Sequence, residues 1–182
     1  MKYLLRLLFL VLTQRRRSRL DVLAPCVTPF RVWPNDLDVF LHMNNGAYLT
    51  IADLGRVDLL LRADVYSPVR ARGWYPVVAA QTIRFHRSLT LWQRYTITTR
   101  ILGWSERSIC LEQVFERDGR RVAHALIDAR FLERGGRRVG TDELMGLIGQ
   151  QRVSPELPGH AQQWIAMLRA AEAAGTPIGP ER

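Results

Sequence analysis

The chain has 182 residues, a length typical of one domain, and 47% of them are hydrophobic, which supports a sizeable core. Its net charge of +9 suggests an anionic partner such as a phosphorylated cofactor or a membrane surface, and a basic surface that reflects genomic composition is the alternative. No recognised nucleic-acid motif is present, so we expect no nucleic acid partner. Cys26 and Cys110 show no disulfide or metal-binding spacing, which favours two core residues in a reducing cytoplasm.

An apolar run near the N-terminus, residues 4–12 interrupted only by Arg6, predicts a helix. It has about half of the roughly 20 residues that span a bilayer. Arginines follow it at positions 15, 16, 17 and 19, whereas a secretory signal carries its charges ahead of the apolar run. We therefore expect residues 1–24 to form a helical segment packed on the domain or on a partner chain, with a peripheral membrane anchor as the alternative.

A short strand, a polar loop and a long helix follow. Residues 27–32 predict an edge or irregular strand because Pro29 lies near its start. Residues 46–62 predict a helix, with Asn44 or Asn45 as its N-cap, because small and apolar residues recur at spacings of three and four. The residues expected on its buried face are Tyr48, Ala52, Gly55 and Leu59.

Four β-rich runs follow a loop at 63–76. They cover residues 77–87, 92–104, 108–117 and 121–133, and Asp118-Gly119 predicts a hairpin turn between the last two. Apolar and polar residues alternate along runs of about ten residues, which predicts one extended antiparallel sheet. A helix over 141–148 and another beginning at Ser154-Pro155-Glu156 are expected, followed by a loose tail over 175–182.

These elements predict an α+β fold, in which an antiparallel five-stranded sheet packs on a long central helix with helices at both ends. We place the main domain at residues 25–150 and the C-terminal helix and tail at 151–182. One helix on one face leaves the other face or an edge of the sheet exposed. That exposure predicts a dimer joined through the sheets.

Polar residues concentrate just ahead of the long helix. Asp36, Asp38, His42 and the tandem Asn44-Asn45 fall within ten residues. The asparagines lie where a helix exposes unpaired backbone N–H groups at the positive end of its dipole. Such groups polarise a carbonyl and hold an oxyanion, while a carboxylate or imidazole beside them activates water. The pattern therefore indicates acyl chemistry at the start of the helix.

This segment, Asp-Leu-Asp-Val-Phe-Leu-His-Met-Asn-Asn-Gly-Ala-Tyr at 36–48, resembles the motif that opens the central helix of hotdog-fold acyl thioesterases. It is similar to the Asp-Leu-Asp-Val-x-x-His-Val-Asn-Asn segment of plant acyl–acyl carrier protein thioesterases and to the 4-hydroxybenzoyl-CoA thioesterase group. With its apolar N-terminus, the chain looks most like the THEM6-like group. The resemblance covers about residues 25–135 and implies a hotdog fold, in which the sheet wraps the helix and two subunits pair.

The resemblance also implies roles for individual residues. Asp38 matches the catalytic carboxylate, which acts on water as a general base or attacks as a nucleophile. Asn45 matches the position whose backbone N–H points at the thioester carbonyl, and His42 matches a histidine of the plant enzymes' polar network. Phe40 stands where those enzymes have asparagine, which leaves the role of His42 open.

Two other acidic residues have simpler roles in this interpretation. Asp36 is expected to be structural. Asp53 occupies a helical position that is often acidic in the family, and an i,i+3 ion pair with Arg56 is its simpler role.

Further residues are expected to bind the substrate. Asn44, Tyr48 and Gln81 are candidates beside the helix. The candidates for coenzyme A phosphates are Arg84, Arg87, Arg134, Arg137 and Arg138, with a solvated face as the alternative. The candidates for an acyl tunnel or a dimer contact are Tyr66, Trp74 and Tyr75. No cofactor or metal is expected, because the histidines at 86, 124 and 160 have no partners at metal-binding spacing.

We expect hydrolysis of an acyl thioester, carried by coenzyme A or acyl carrier protein, by a homodimer or tetramer. The expected location is the cytoplasm, either free or peripheral at the inner face of the membrane through residues 1–20. Enoyl-thioester hydratases of this fold are one alternative, but their Asp-x-x-x-x-His spacing is one residue longer than that from Asp38 to His42. A non-catalytic acyl- or membrane-binding protein is the other, because Phe40 and the basic apolar N-terminus fit it.

Overall fold

The computed structural model describes residues 2–13, 17–149 and 153–175 and has an α+β fold. Its helices are α1 (Lys2–Thr13), α2 (Asn45–Arg62), α3 (Tyr66–Ala71), α4 (Thr141–Leu147) and α5 (Gly159–Ala173), and a 3-10 turn covers Pro34–Asp36. Its strands are β1 (Cys26–Arg31), β2 (Trp74–Phe85), β3 (Arg94–Trp104), β4 (Ile109–Arg117), β5 (Arg120–Glu133) and β6 (Arg138–Val139). An antiparallel sheet around one long helix, as predicted, is therefore present.

The long strands lie in the order β1-β3-β4-β5-β2, and the two-residue β6 pairs with β5 as an addition to the five predicted strands. Asp118 and Gly119 both have positive φ angles, of 51° and 71°. This pair of left-handed residues is what a two-residue hairpin turn of the I′ type requires. The hairpin predicted between β4 and β5 is confirmed.

Strand β2 begins at Trp74, whereas the sequence predicted its start at position 77. Pro76 lies inside it, opposite Phe131 of β5. Proline is tolerated in an edge strand because its missing N–H can face away from the neighbouring strand. Pro76 is therefore compatible with the end of an edge strand, although the sequence placed it in the loop at 63–76.

Helix α2 packs on the inner face of the sheet, the face that also carries the main core. Its buried residues Tyr48, Ile51 and Ala52 contact a core that includes Ile97 and Phe115. Farther along the helix, a Cβ added at Gly55 would lie 3.0 Å from Gln113 Nε2 and 3.1 Å from Thr99 Oγ1. The Gln113 amide donates hydrogen bonds to the Ala52 carbonyl and to Thr99 Oγ1, both at 2.9 Å. Glycine thus allows α2 to approach β3 and β4 closely over a buried polar group that is satisfied.

Helix α5 covers part of the opposite, outer face of the sheet. Of the two predicted alternatives, an exposed face or an exposed edge, the described residues therefore show the exposed edge. Ala161, Trp164 and Ile165 of α5 pack near Cys110 and Leu126. Within the described residues, β1 and β2 are the edge strands of the sheet, and β2 is the longer of the two.

The start predicted for this helix at Ser154-Pro155-Glu156 is wrong, because α5 begins at Gly159. The Ser154 hydroxyl accepts a hydrogen bond from the Trp104 backbone N–H at 2.8 Å instead of capping a helix. A Cβ at Gly103 would lie 2.8 Å from the Pro155 carbonyl oxygen, so the segment passes directly over β3. Of the predicted tail, residues 176–182 lie outside the described residues.

The N-terminal helix is present as α1 and packs on the domain. Two buried arginine–aspartate pairs connect the N-terminal segment to the rest of the fold: Arg6 with Asp36, and Arg17 with Asp58. None of the described helices is long and apolar enough to cross a membrane.

Candidate active site

The motif loop is a tight hairpin closed on itself. The Asp38 backbone N–H donates to the His42 carbonyl at 2.8 Å, and the Leu41 N–H donates to the Asp38 carbonyl at 3.1 Å. Oδ1 of Asp38 accepts hydrogen bonds from the backbone N–H groups of Phe40 and His42, at 2.9 and 3.2 Å. Leu41 has a φ of 61°, which completes the turn. Within the described residues Oδ2 of Asp38 has no hydrogen-bond partner, so this oxygen is available to a ligand or to water.

The loop leads directly into the first turn of α2. Asn44 is the N-cap, and its side-chain oxygen accepts from the Gly46 N–H at 2.8 Å. For the Asn45 backbone N–H, the described part of the chain provides no hydrogen-bond partner. This N–H lies at the positive end of an 18-residue helix, and Asn45 is an exposed residue. It is therefore suited to hold a carbonyl oxygen that gains negative charge.

A small pocket of about 260 Å³ opens beside Asn45, between the start of α2 and the end of β2. Its lining residues are Met43, Asn45, Tyr48, Phe85, His86, Arg87 and Ser88. Desolvation and the guanidinium of Arg84 lower the pKa of His86, which reflects a locally positive potential. Burial raises the pKa of Tyr48 to about 12, so its phenol is neutral near pH 7. The pocket therefore presents fixed positive charge to an anionic ligand.

A larger cavity of about 590 Å³ lies farther along α2. It runs between the helix, β2, β5 and α4, and its walls are mostly aliphatic. Asp53, Arg56 and Gln81 are the polar residues of its wall, with Tyr3 of α1. The helical rise places Asp53 about 12 Å from Asn45 along the axis. Asp53 and Arg56 form the i,i+3 ion pair predicted from their spacing, and Arg56 also donates to Gln113 Oε1 at 2.7 Å.

The structure brings some of the predicted residues to this site and leaves others elsewhere. Asn45, Tyr48 and Arg87 share the small pocket, and Gln81 lines the larger cavity. Arg84 lies directly opposite His124 of β5, whose side chain is on the outer face, so Arg84 points away from α2. The His42 side chain is exposed and has no side-chain hydrogen bond among the described residues.

The other arginines proposed for phosphate binding lie at the far end of β2, roughly 35 Å from its Asn45 end at ~3.3 Å per residue. Arg137 is bound to Glu133 and Glu143 in ion pairs, which raise the pKa of its guanidinium. Arg134 lines a separate pocket of about 250 Å³. That pocket contains the three aromatic residues suggested for an acyl tunnel, Tyr66, Trp74 and Tyr75.

Three side chains on the outer face form a cluster that the sequence did not predict. Ligand atoms of Glu112, His124 and His160 lie within 4.8 Å of one another, and such a set can hold a metal ion. Glu112 Oε1 lies 2.8 Å from His124 Nε2 and 3.6 Å from His160 Nε2. Arg100 binds the same carboxylate at 2.5 Å, and its charge opposes a cation there. The spacing in the sequence indicated no partners for His124 and His160, and strand pairing and the placement of α5 bring them together with Glu112.

Neither cysteine has the properties of a nucleophile. Burial raises the pKa of the Cys26 thiol to about 11, and burial does the same to Cys110. Thiols with such values are protonated near pH 7 and unreactive. Neither thiol is therefore a candidate nucleophile, and Asp38 is the acidic residue of the loop that leads into Asn45.

A family model described as the thioesterase-like superfamily matches residues 32–165. The chain belongs to this superfamily. The match includes the motif loop, α2 and the whole sheet after β1, so the features of the candidate site lie within it.

Protein THEM6 of Xenopus laevis is 33% identical over 135 residues, which cover 74% of this chain and 64% of that protein. Protein THEM6 of Danio rerio is 32% identical over 157 residues, covering 85% of this chain and 75% of the relative. The chain thus spans less than two thirds of the Xenopus protein. Long-chain acyl-CoA thioesterase FadM of Escherichia coli strain K12 is 33% identical over 102 residues, or 55% of this chain and 77% of FadM.

Among solved structures, YbaW, a probable thioesterase from Escherichia coli, is similar with a TM-score of 0.63 at 28% identity, covering 68% of this chain and 96% of YbaW. The BH1999 gentisyl-coenzyme A thioesterase has a TM-score of 0.61 at 19% identity, covering 66% and 98%, a likeness of fold alone. The predicted membership of the hotdog thioesterases, with THEM6 proteins among the relatives, is confirmed.

Proposed function

We propose that this protein hydrolyses acyl-CoA thioesters, using Asp38 and the first backbone N–H of α2. The supporting observation is that one carboxylate oxygen of Asp38, in the loop that leads into α2, and the backbone N–H of Asn45, the first residue of α2, have no hydrogen-bond partner among the described residues. In this proposal the thioester carbonyl accepts a hydrogen bond from Asn45 N–H. Asp38 takes a proton from the attacking water, and the thiolate of coenzyme A leaves and is protonated. In the nucleophilic variant, the Asp38 carboxylate attacks the carbonyl itself and the thiolate of coenzyme A leaves; water then hydrolyses the resulting mixed anhydride, which releases the fatty acid and regenerates Asp38.

The two cavities suggest where the coenzyme A moiety and the acyl chain of the substrate bind. Arg87 and the positive potential around His86 would attract the phosphates of coenzyme A beside Asn45. The aliphatic cavity would take the acyl chain, and its volume of about 590 Å³ lies within the usual range of ligand pockets. Because this cavity begins about 12 Å along α2, we propose that the substrate is a long-chain acyl-CoA. The similarity to FadM, a long-chain acyl-CoA thioesterase, supports the same class.

We also propose a homodimer that pairs through β2. This strand of 12 residues is bonded to β5 on one side and has no strand partner on the other within the described chain. Tyr75, Val78 and Phe85 are exposed along it. A long unpaired edge is a template for another strand, and a two-fold pairing would satisfy it.

A chain-length panel tests the proposed reaction and substrate class. Free thiol released from acetyl-, butyryl-, crotonyl-, lauroyl- and palmitoyl-CoA is measured, and long chains are expected to give the highest kcat/KM. Val57→Trp places a large side chain in the aliphatic cavity. It is expected to lower kcat/KM for palmitoyl-CoA about tenfold or more, since displacing several methylenes costs about 0.8 kcal/mol each.

Activity on the shortest substrates is the internal control for this variant, because their chains do not reach the cavity. Hydration of crotonyl-CoA without thiol release would show a hydratase instead. Binding of acyl-CoA with no turnover of any substrate would show a non-catalytic binding protein. Equal loss on short and long substrates would contradict the placement of the acyl chain.

We propose that α1 attaches the protein to the surface of an anionic membrane. Arg6 and Leu10 of α1 are buried against the domain, while the opposite side of the helix is exposed. The exposed apolar residues are Leu4, Leu5, Leu8, Phe9, Val11 and Leu12. A net charge of +9 adds attraction to anionic lipids.

Sedimentation with vesicles that contain phosphatidylserine tests this attachment. Wild type is expected to sediment with the vesicles, and Phe9→Asp is expected to remain mostly in the supernatant, because a charge would enter the apolar layer. Val153→Asp is the matched control, since Val153 is an exposed apolar residue outside α1. Equal binding of wild type and Phe9→Asp would contradict the proposal.

A further inference from the structure

Arg6 of α1 makes a buried, two-pronged contact with Asp36. Nη1 lies 3.1 Å from Oδ1 and Nη2 lies 2.6 Å from Oδ2, and both side chains are almost fully excluded from solvent. The guanidinium also donates to the Arg31 carbonyl at 2.8 Å and lies over the Trp33 ring, 4.3 Å from its centroid. Planar bidentate pairing of this kind fixes orientation as well as distance. The Asp36 carboxylate is therefore held in one place by a residue 30 positions away.

Asp36 in turn connects directly to both halves of the candidate site. Its backbone carbonyl accepts the Asn44 N–H at 2.8 Å, and Asn44 caps the helix whose first N–H belongs to Asn45. Its carboxylate accepts the Trp33 N–H at 2.9 Å, which closes the 3-10 turn. Asp38, the proposed base, follows two residues later in the chain. A shift of Asp36 would therefore move the Asp38 carboxylate relative to the Asn45 N–H, the proposed oxyanion donor.

We infer that Arg6 is a positioning residue for hydrolysis and that α1 is a structural part of the active site. This inference rests on the proposed function. Arg6 touches neither substrate nor Asp38 in this scheme. It acts through Asp36, by holding the turn from which the motif loop and the cap of α2 both begin. Loss of the guanidinium would remove the bidentate pairing from a buried carboxylate, and the turn would have to rearrange to compensate for it.

A second buried pair provides a control within the same segment. Arg17 lies 2.5 Å from Asp58, which is fully buried, and Arg17 is itself mostly buried. Asp58 belongs to the C-terminal half of α2, more than three helical turns from Asn45. Arg6→Gln and Arg17→Gln therefore each remove one buried ion pair between the N-terminal segment and the domain. Only Arg6→Gln affects the turn that precedes the motif.

The experiment compares kcat, KM and amide hydrogen exchange of full-length wild type, Arg6→Gln and Arg17→Gln. Arg6→Gln is expected to lower kcat for palmitoyl-CoA about 10–100-fold with little change in KM, since misplacing a catalytic group by about 1 Å costs this much. It is also expected to speed exchange in peptides that cover residues 36–47. Arg17→Gln is expected to lower the melting temperature while kcat and exchange in this segment stay close to wild type.

The exchange measurement separates this inference from the proposed function. If wild type hydrolyses no substrate of the panel, the proposed function fails, and exchange in residues 36–47 still decides whether Arg6 orders the turn. Arg6→Lys keeps the charge but cannot form the planar bidentate contact, so we expect smaller changes in kcat and exchange in the same direction. This variant replaces Arg6→Gln if Arg6→Gln does not fold. Unchanged exchange in Arg6→Gln, or an equal loss of kcat in Arg17→Gln, would overturn the inference.

Discussion

Asp38→Asn is expected to lower kcat for acyl-CoA hydrolysis by about 10²–10⁴-fold, the usual contribution of a positioned general base. The substitution keeps an oxygen that can accept from the Phe40 and His42 N–H groups, so the hairpin should persist. It removes the negative charge that attracts a proton from water. KM should change little, because Asn45 and the two cavities are untouched. Initial rates of thiol release over a range of substrate concentrations measure both constants.

Asp53→Asn is the matched control for this prediction. Asp53 is a second carboxylate, located in the wall of the aliphatic cavity and already paired with Arg56. We expect a change of only a few-fold in kcat, because an ion pair of this kind contributes modestly. Both variants should have the mass of two chains by light scattering, as proposed for wild type. Full activity of Asp38→Asn would contradict the catalytic role of Asp38. Inactivity of Asp53→Asn alone would assign that role to Asp53 of α2.

Asp58→Asn is expected to cause the largest loss of stability among single substitutions that keep side-chain shape. Oδ1 of Asp58 lies 2.5 Å from Arg17 Nη1, and Oδ2 accepts from the Thr28 hydroxyl at 2.6 Å. Asparagine is neutral and offers one acceptor oxygen in place of two, so the guanidiniums of Arg17 and Arg62 lose the buried negative charge that they share. Breaking a buried pair costs about 3–5 kcal/mol. Since each kcal/mol shifts Tm by about 2–4 °C in chains of this size, we expect a decrease of roughly 6–20 °C.

The control is Asp64→Asn, which removes the ion pair with Arg19. This pair also connects the N-terminal segment to the end of α2, but the Arg19 side chain is 85% exposed and that of Asp64 is 62% exposed. Exposed pairs contribute about 0–1 kcal/mol because water screens them. Thermal unfolding followed by circular dichroism compares the two variants. Similar melting temperatures for Asp58→Asn and Asp64→Asn would contradict the stabilising role of the buried pair.

The features that could be predicted from the sequence are those that depend on residues close together in the chain. Alternating residues along β3 and β4, the turn at Asp118-Gly119 and the asparagine cap of α2 each depend on neighbours in the chain. The motif at 36–48 could be recognised because its residues are contiguous. The same local logic failed at Ser154, because its hydroxyl binds β3, an element about 50 residues away.

The features that could not be predicted depend on long-range geometry. Arg6 and Asp36 are 30 residues apart, and nothing in the spacing indicates that α1 lies against the turn before the motif. His124 meets Glu112 only through the register of β4 and β5, and His160 joins them through the placement of α5. The one signal in the sequence was Arg6 within the apolar run 4–12, because a buried arginine needs an acidic or polar partner elsewhere in the fold.

Gly55 has a consequence for how the range of substrates can change in evolution. The flank of α2 that faces β3 and β4 is so close at this residue that a Cβ would meet Gln113 and Thr99, and no ligand atom fits there. The cavity occupies the other flank, where Val57 and Leu60 lie. The flank at Gly55 therefore fixes the position of the helix, and the side chains on the cavity flank are free to vary in size. Acyl-chain preference can diverge through residues of the open flank while the contact at Gly55 keeps the motif and the sheet in register.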